Sequence, residues 1–452
     1  MIQDDYDIES VPESAWQVSR RSFMKRLAGG IAAGTGIAAG GALVYGTSAA
    51  ASPKVDAPQD LETAASGTDP GDERYWLAVR SQFLLRDNLA LMNAANLCPS
   101  PYPVMESVFK YTRDLDYDAS FHNRMKYREI REDTRGKMAR LLGAHPDEIA
   151  LVRNTSEANN AISTGYHLGA GDEVLLSDLN HPSNNQAWQV KARRFGFKIN
   201  YVSVPVIPGG EDEIIDAFNR AYTPATKVMS FTHVSNTTGL TMPAKELCAA
   251  ARSRGVFSLV DGAQSFGALE IDLADMGCDA YSGSAHKWFM GPKEVGVLYV
   301  RKDSQDAVWP AIVSAGWRDE VEESARKYEV LGQRDDAALT ATGRGVEFHE
   351  KIGPARVEAR MRQVATAIKE GLSGLPGIEL RTSMEPALSA GVVIFRPGEL
   401  DPRKVFDKLY TTYHIAGAGM GPNVRLSPHI YNTLDEADRA VTAVAEMLRD
   451  GV

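Results

Sequence analysis

The sequence predicts an α/β protein in which a mostly parallel sheet is covered by helices, with a smaller C-terminal α+β domain behind it. Three observations predict this. Between positions 149 and 302, short apolar β-branched runs alternate with helical patterns. After Asp335 that rhythm gives way to long helical patterns and a few short strands. The chain has 452 residues, 44% apolar and 24% charged, so it has ordinary globular usage and enough length to bury a large core.

Taken in order, residues 1–51 read as an address. Residues 19–25 spell SRRSFMK, and the cluster Arg20, Arg21, Lys25, Arg26 precedes a Gly/Ala-rich apolar run over 27–45. TSAAASP follows, where Ala49 and Ala51 offer a small-residue cleavage site. The segment resembles a twin-arginine export signal, whose pattern is S/T-R-R-x-F-x-K. That resemblance implies passage of a folded chain through the twin-arginine export machinery to the periplasm or the medium, and such export suits a protein that takes up a cofactor first. Seven glycines from Gly29 to Gly46 make the run a poor membrane helix, so no stable membrane insertion is expected. The same run contains Gly34-Thr35-Gly36-Ile37-Ala38-Ala39, a match to G-x-G-x-x-A. No strand pattern precedes it and no βαβ unit surrounds it, so it fails as a dinucleotide fingerprint. Residues 52–72, rich in Pro, Asp, Ala, Ser and Gly without periodicity, read as a solvated linker.

The large domain is expected over 73–335. Strand patterns fall at 149–153, 173–178, 199–206, 227–234, 256–263, 279–283 and 296–300, with helical stretches such as 156–167 and 244–254 between them. In such a sheet the ligand lies at the carboxyl ends of the strands. The small domain, 336–452, is expected to hold helices over 336–351 and 354–375, strands over 377–383 and 390–397, a helix near 402–410 and a closing helix over 434–449. There is no internal repeat.

Composition excludes some functions. Lys and Arg number 49 against 59 Asp and Glu, a net charge of −10, which argues against nucleic acid as a partner. The first 51 residues carry four of the basic and five of the acidic groups, so the remainder still nets −9. Three cysteines, Cys98, Cys248 and Cys278, are too few for a disulfide framework and lack metal-ligand spacing, so no metal site is expected and each reads as a small core residue.

Several strand ends carry chemistry. Asp261 closes an apolar run and is followed by GAQS; a carboxylate there can meet a buried cation such as a protonated pyridine nitrogen, although alone it reads equally as a cap or metal ligand. Lys287, in Ser284-Ala285-His286-Lys287-Trp288, sits among apolar and aromatic neighbours, where an amine is costly to bury unless its pKa falls or it condenses with a carbonyl. An isolated His-Lys pair would be an ordinary surface loop. Thr155 and Ser156 open a helix after a strand, which suits a phosphate or a plain helix cap.

With His181 in NHPSNNQAW, Asn236 in THVSNTTG, Gln264 in DGAQS and Arg425 in NVRLSPHIYNT, these segments resemble the fold-type I PLP enzymes of aminotransferase class V over about residues 88–450. That family includes cysteine desulfurases and isopenicillin N epimerases, and the segment GQRD at 332–335 is similar to the epimerase-like branch.

The resemblance implies a seven-stranded large-domain sheet and pyridoxal 5'-phosphate (PLP) as cofactor. It assigns Lys287 to the Schiff base and to proton movement at the substrate Cα. Asp261 becomes the pyridinium partner, Gln264 the donor to the ring phenolate oxygen, and His181 the histidine stacked on the ring. Thr155, Ser156, Ser284 and His286 become the phosphate group, and Asn236 a residue near the phenolate oxygen and substrate carboxylate. Arg425 grips the α-carboxylate through its planar fork, with Asn96, in the specificity loop 93–102, as a further substrate contact. A homodimer sharing its active site is implied. Gln333 there stands where the family usually has a threonine that touches the neighbouring subunit's phosphate.

Cysteine desulfurases carry a nucleophilic cysteine on a mobile loop upstream of that arginine. Here residues 414–427, HIAGAGMGPNVRLS, are short and lack cysteine, which excludes persulfide formation by that route. The expected activity is therefore at the Cα of an amino acid, or of the amino-acid portion of a peptide, as in isopenicillin N epimerase. Transamination, elimination and decarboxylation remain open. With its export signal, the chain also looks like the periplasmic PLP enzymes that tailor a glutamyl residue of pyoverdine-type siderophores, and a C–S lyase is a further option. A non-catalytic exported binding protein is the competing class; the intact set of Lys287, Asp261, Gln264, His181 and Arg425 argues against it. A nucleotide-dependent oxidoreductase lacks any valid glycine fingerprint.

Overall fold

Parallel strands buried on both faces need continuous apolar runs, and the sequence supplies them. The fold is that of a computed structural model that describes residues 61–65, 69 and 71–452. The proposed export signal lies outside the described residues.

Within the stretch expected as a solvated linker, Leu61–Ala64 forms a helical turn, and Leu61 is buried with Tyr75 and Trp76 of the next helix, Glu73–Arg80. Helices α1 (Tyr102–Tyr117) and α2 (Lys126–Leu141) lead into β1 (Ile149–Val152) and α3 (Thr155–Gly165). There follow β2 (Glu173–Ser177), α4 (Pro182–Phe195), β3 (Lys198–Val202), α5 (Glu211–Ala221), β4 (Thr226–Thr232), α6 (Ala244–Arg252), β5 (Phe257–Asp261), β6 (Ala280–Ser284) and β7 (Gly296–Val300). These seven strands form one sheet in the order β1-β7-β6-β5-β4-β2-β3. Only β7 is antiparallel to its neighbours, β1 and β6. Consequently β1 and β6 run the same way, and their carboxyl ends fall on the same sheet edge as that of β5.

Every residue of β1, β5, β6 and β7 is buried. One face of the sheet packs Ala158 and Ile162 of α3 and Trp188 of α4; the other packs Met138 of α2, Phe218 of α5 and Leu247 of α6. The edge strand β3 is shorter than the 199–206 pattern. Its partner β2 ends at Ser177, and Asp178 then takes over: its N–H donates to Val202 O at 3.0 Å and its carboxylate accepts from Ser203 Oγ at 2.7 Å.

The C-terminal part opens with α7 (Asp336–Ile352) and α8 (Pro354–Ser373), then β8 (Glu379–Leu380), β9 (Val393–Arg396), α9 (Pro402–Thr411), β10 (Ala418–Met420), β11 (Asn423–Leu426) and α10 (Leu434–Asp450). The strands make an antiparallel sheet, β10-β11-β9-β8. Val364 and Ile368 of α8, Leu409 of α9 and Val444 of α10 close over it. A two-residue parallel pair, Ala90–Leu91 with Ile415–Ala416, draws the N-terminal loop beside β11. Ala94 N–H donates to Ser427 O at 3.0 Å and Ser427 N–H to Met92 O at 2.7 Å, so loop and strand are tied on both sides. No helix among the described residues is long and apolar enough to cross a membrane.

Candidate active site

Asp261 ends β5, the middle strand, and is almost wholly buried. Its Oδ2 accepts from Asn159 Nδ2 at 2.9 Å and its Oδ1 from the Ala263 N–H at 3.1 Å. Asn159 Oδ1 in turn accepts from Ser282 Oγ at 2.7 Å. The carboxylate is thus aimed by neutral donors and has no ion-pair partner among the described residues. Asn159 was not singled out by motif, yet it lies four residues after Thr155 and three before Ile162 on one helical stripe. A polar residue on an otherwise buried stripe is the signal that would have found it.

Thr155 begins α3 directly after β1. Its N–H donates to Ser284 Oγ at 2.9 Å, and the two hydroxyls meet at 2.8 Å. Asn154 caps the helix by accepting from the Glu157 N–H at 3.0 Å. The Ser156 N–H is left without a partner among the described residues. Two hydroxyls and a free N–H at the positive end of a helix are what a phosphate dianion requires. Gly296 of β7 permits the approach: a Cβ there would lie 2.5 Å from Gly283 O and 2.8 Å from Asn154 Cα.

Lys287 follows β6 and is half-buried. Burial pulls its amine down to about 8, the charge of Arg425 adds to the effect, and Asp261 opposes it. A lysine there carries a large neutral fraction near neutral pH and can act as nucleophile or base. Trp288, next in sequence, donates from Nε1 to Gln264 Oε1 at 2.7 Å, while Gln264 Nε2 donates to Ala95 O at 3.0 Å. An indole N–H only donates, so the amide orientation of Gln264 is determined, and one of its amide hydrogens remains. Gln264 therefore ties the 93–98 loop to the lysine segment.

Arg425, on β11, is buried. Its Nη2 donates to Asn93 Oδ1 at 3.1 Å and its Nη1 to the Asn236 carbonyl at 3.4 Å, while Nε has no partner. No carboxylate faces it among the described residues, and burial draws its guanidinium down to about 10. His181 caps α4 with much of its surface open to solvent; partial desolvation of the ring, then Lys287, lower its pKa, Asp261 opposes them and Arg425 adds to the lowering. His181 and Lys287 are therefore each near enough to feel the charges of Asp261 and Arg425, and His181 that of Lys287.

The remaining expectations separate. His286 is half-buried and its imidazole falls to about 4 through burial first and then Lys287; its carbonyl accepts from the Cys98 N–H at 2.8 Å. Asn96 is exposed, and the residue of that loop that reaches Arg425 is Asn93. Gln333 is exposed in a cleft with Arg124, whose guanidinium donates to it, and with Arg334 and Asp335. Cys98 is buried at 3.4 Å from Tyr431 Oη, and burial pushes its thiol up to about 12, as suits a packing residue.

The residues present fit PLP. A buried carboxylate without a cation, a depressed amine, a hydroxyl-lined helix start with a free N–H, and an orphaned guanidinium match the charges of a pyridinium, an aldehyde, a phosphate and a substrate carboxylate. Fold and site together define a PLP-dependent enzyme of fold type I. The family model for aminotransferase class-V matches residues 91–439, and the chain belongs to that family. It is 34% identical over 392 residues to the isopenicillin N epimerase of Amycolatopsis lactamdurans, covering 82% of this chain and 98% of the relative. It is 29% identical over 385 residues to a probable cysteine desulfurase of Methanothermobacter thermautotrophicus, covering 78% and 93%. Among solved structures, a C-DES mutant with glycine covalently linked to its PLP cofactor shares the fold, with a TM-score of 0.75 and 23% identity over 81% of this chain and 99% of that one.

Proposed function

We propose that this is an exported PLP enzyme acting at the Cα of an amino acid, or of the amino-acid end of a peptide, as an epimerase of the isopenicillin N type. The observation that carries the reading is Arg425, a buried guanidinium with no carboxylate of its own within reach of a depressed Lys287. An α-carboxylate beside an α-amino group is the ligand that satisfies both.

PLP, when bound, withdraws electrons from the substrate Cα through its ring. This chain's residues do the rest. Arg425 holds the carboxylate bidentately while Asn93 fixes one arm of the fork. Asp261, aimed by Asn159, holds positive charge on the ring nitrogen. Thr155, Ser284 and the Ser156 N–H hold the phosphate. Lys287 Nζ, with a pKa near 8, takes the Cα proton on its own face, and inversion requires a second acid to return a proton on the opposite face. His181, Asn236 and Gln264 would complete the pocket wall, and in a homodimer Gln333 would have to leave its Arg124 contact to reach the neighbouring subunit's phosphate.

Residues 19–25 support export through the twin-arginine pathway. That address favours one second substrate: a glutamyl residue of a pyoverdine-type siderophore, met in the periplasm. C–S lyase chemistry would use the same Lys287.

The test is incubation of the holoenzyme with isopenicillin N, free amino acids and siderophore precursors in deuterated water. Gain of one deuterium at Cα with no other mass change supports epimerisation; release of carbon dioxide, ammonia or sulfur overturns it. Borohydride reduction is expected to leave a pyridoxyl group on Lys287. For export, replacing Arg20 and Arg21 by lysine is expected to hold the protein in the cytoplasm on fractionation.

A further inference from the structure

We propose that Ser183 is a positioning residue that confines the proton of neutral His181 to Nε2, leaving Nδ1 as an acceptor. The inference rests on the assignment of His181 to the cofactor site.

The geometry is local. His181, Pro182 and Ser183 open α4, with Pro182 at its first position. His181 Nδ1 accepts from the Ser183 N–H at 3.2 Å and faces Ser183 Oγ at 2.7 Å. A backbone N–H only donates, so Nδ1 must present its lone pair to it. The hydroxyl can rotate, and with Nδ1 already an acceptor its hydrogen turns toward the ring. A neutral imidazole has one N–H, which these two donors leave on Nε2. The backbone N–H sets Nδ1 as an acceptor, and the hydroxyl at 2.7 Å is close enough to reinforce it. The charged groups that His181 senses from other elements are Lys287 after β6, Asp261 at the end of β5 and Arg425 on β11.

The chain contains its own contrast. His145, Pro146 and Asp147 open a short 3-10 turn with the same device, His145 Nδ1 accepting from the Asp147 N–H at 3.3 Å. There the third residue is a carboxylate, with Oδ2 3.6 Å from Nδ1. A carboxylate can only accept, so beside an imidazole it competes with the backbone N–H and favours the protonated ring, whereas a serine hydroxyl can donate and favours a bare Nδ1. The residue two places after the histidine therefore sets whether Nδ1 meets a second donor or an acceptor.

Ser183→Asp transplants the second arrangement into the first, at a helix N-terminus where an acidic residue is favourable. Nitrogen-15 NMR of histidine-labelled apoprotein, with His181→Gln to identify the resonances, reads the tautomer directly. The native chain is expected to show a protonated Nε2 and a bare Nδ1, and Ser183→Thr to keep that pattern. Ser183→Asp is expected to place a proton on Nδ1 and to raise the His181 titration midpoint by about one pH unit or more; Ser183→Ala, which keeps the backbone N–H, is expected to weaken the preference for Nε2–H without reversing it. In the holoenzyme, the pH midpoint of the visible cofactor band should shift in the Asp variant, which changes the ring's protonation and adds a carboxylate beside it, and stay unchanged in the Thr variant.

A protonated Nδ1 in the native chain overturns the proposal, and so does an Asp variant whose tautomer and midpoint match the native ones. A tautomer change with no change in the cofactor band overturns the positioning role. The NMR result does not require PLP, so failure of borohydride to label Lys287 would sink the cofactor reading while leaving the Ser183 result standing.

Discussion

Two buried arginines of this chain differ in what neutralises them. Arg135 of α2 donates to Glu329 Oε1 at 2.7 Å, to Glu132 Oε1 at 3.0 Å and to the Ile149 carbonyl at 2.7 Å, so carboxylates hold its cationic form above the ordinary range despite burial. Arg425 of β11 meets only an amide oxygen and a carbonyl, and burial draws it down to about 10. Arg135 fastens the 325–329 turn and β1 to α2. Arg425 awaits an anion from outside. A buried cation that brings its own carboxylate is architecture; one without is a binding site.

The largest expected effect is on the architectural side. Arg135→Met leaves Glu329 buried without its cation, and should cost about 3–5 kcal/mol of stability. Thermal denaturation of the apoprotein checks this; a melting temperature within a degree or two of the parent would break the contrast.

Arg425→Lys should do the reverse. It keeps the charge, loses the planar fork, and leaves no carboxylate stranded, so the melting temperature should hold. The kcat/KM for the accepted amino acid should fall about 10- to 100-fold, the worth of a charge-assisted bidentate contact. Equal losses of stability in the two variants would erase the distinction.

The same division separates what the sequence made legible from what it did not. The seven strands could be read because parallel strands are apolar throughout, and Asp261 and Lys287 stand out as charges at the ends of such runs. Asn93 could not, because an asparagine in a loop carries no periodic signal and its partner Arg425 is 332 residues away in sequence; Asn159 shows only as a polar break in the buried stripe of α3, with its partner Asp261 102 residues away. Leu61 escaped for a related reason: a lone leucine in a Pro/Ala/Ser-rich stretch shows no stripe, and its burial depends on Tyr75 and Trp76 arriving from the next helix. The edge strand β3 was over-read because its apolar pattern outlasts its partner β2. Whether an arginine is paired is a tertiary fact, and it is the one that distinguishes Arg425 from Arg135.

A third prediction concerns Lys287, the other under-neutralised cation. Its folded pKa, about 8, lies below the ordinary 10.5, so the unfolded chain binds more protons across that interval. Stability of the apoprotein from this group should therefore rise as pH increases from about 8 toward 10.5 and be fully penalised below 8. Lys287→Met should raise the apoprotein melting temperature at pH 7 and change it little near pH 10.5. A variant less stable than the parent at pH 7 would show that the amine is better solvated than its surroundings suggest.

The smallest effect is at Asn93, and it tests the comparison most finely. Its Oδ1 holds one arm of the Arg425 fork at 3.1 Å, so Asn93→Ala should lower kcat/KM about five- to tenfold, the worth of a hydrogen bond to a charged group. If Asn93 acts by orienting the fork, that loss must shrink once the fork is gone. In the Arg425→Lys background, Asn93→Ala should cost less than about twofold, and the double-mutant cycle should return most of its effect as coupling. Additive losses would mean that Asn93 meets the substrate itself, and that the buried guanidinium is aimed by the backbone of β11 alone.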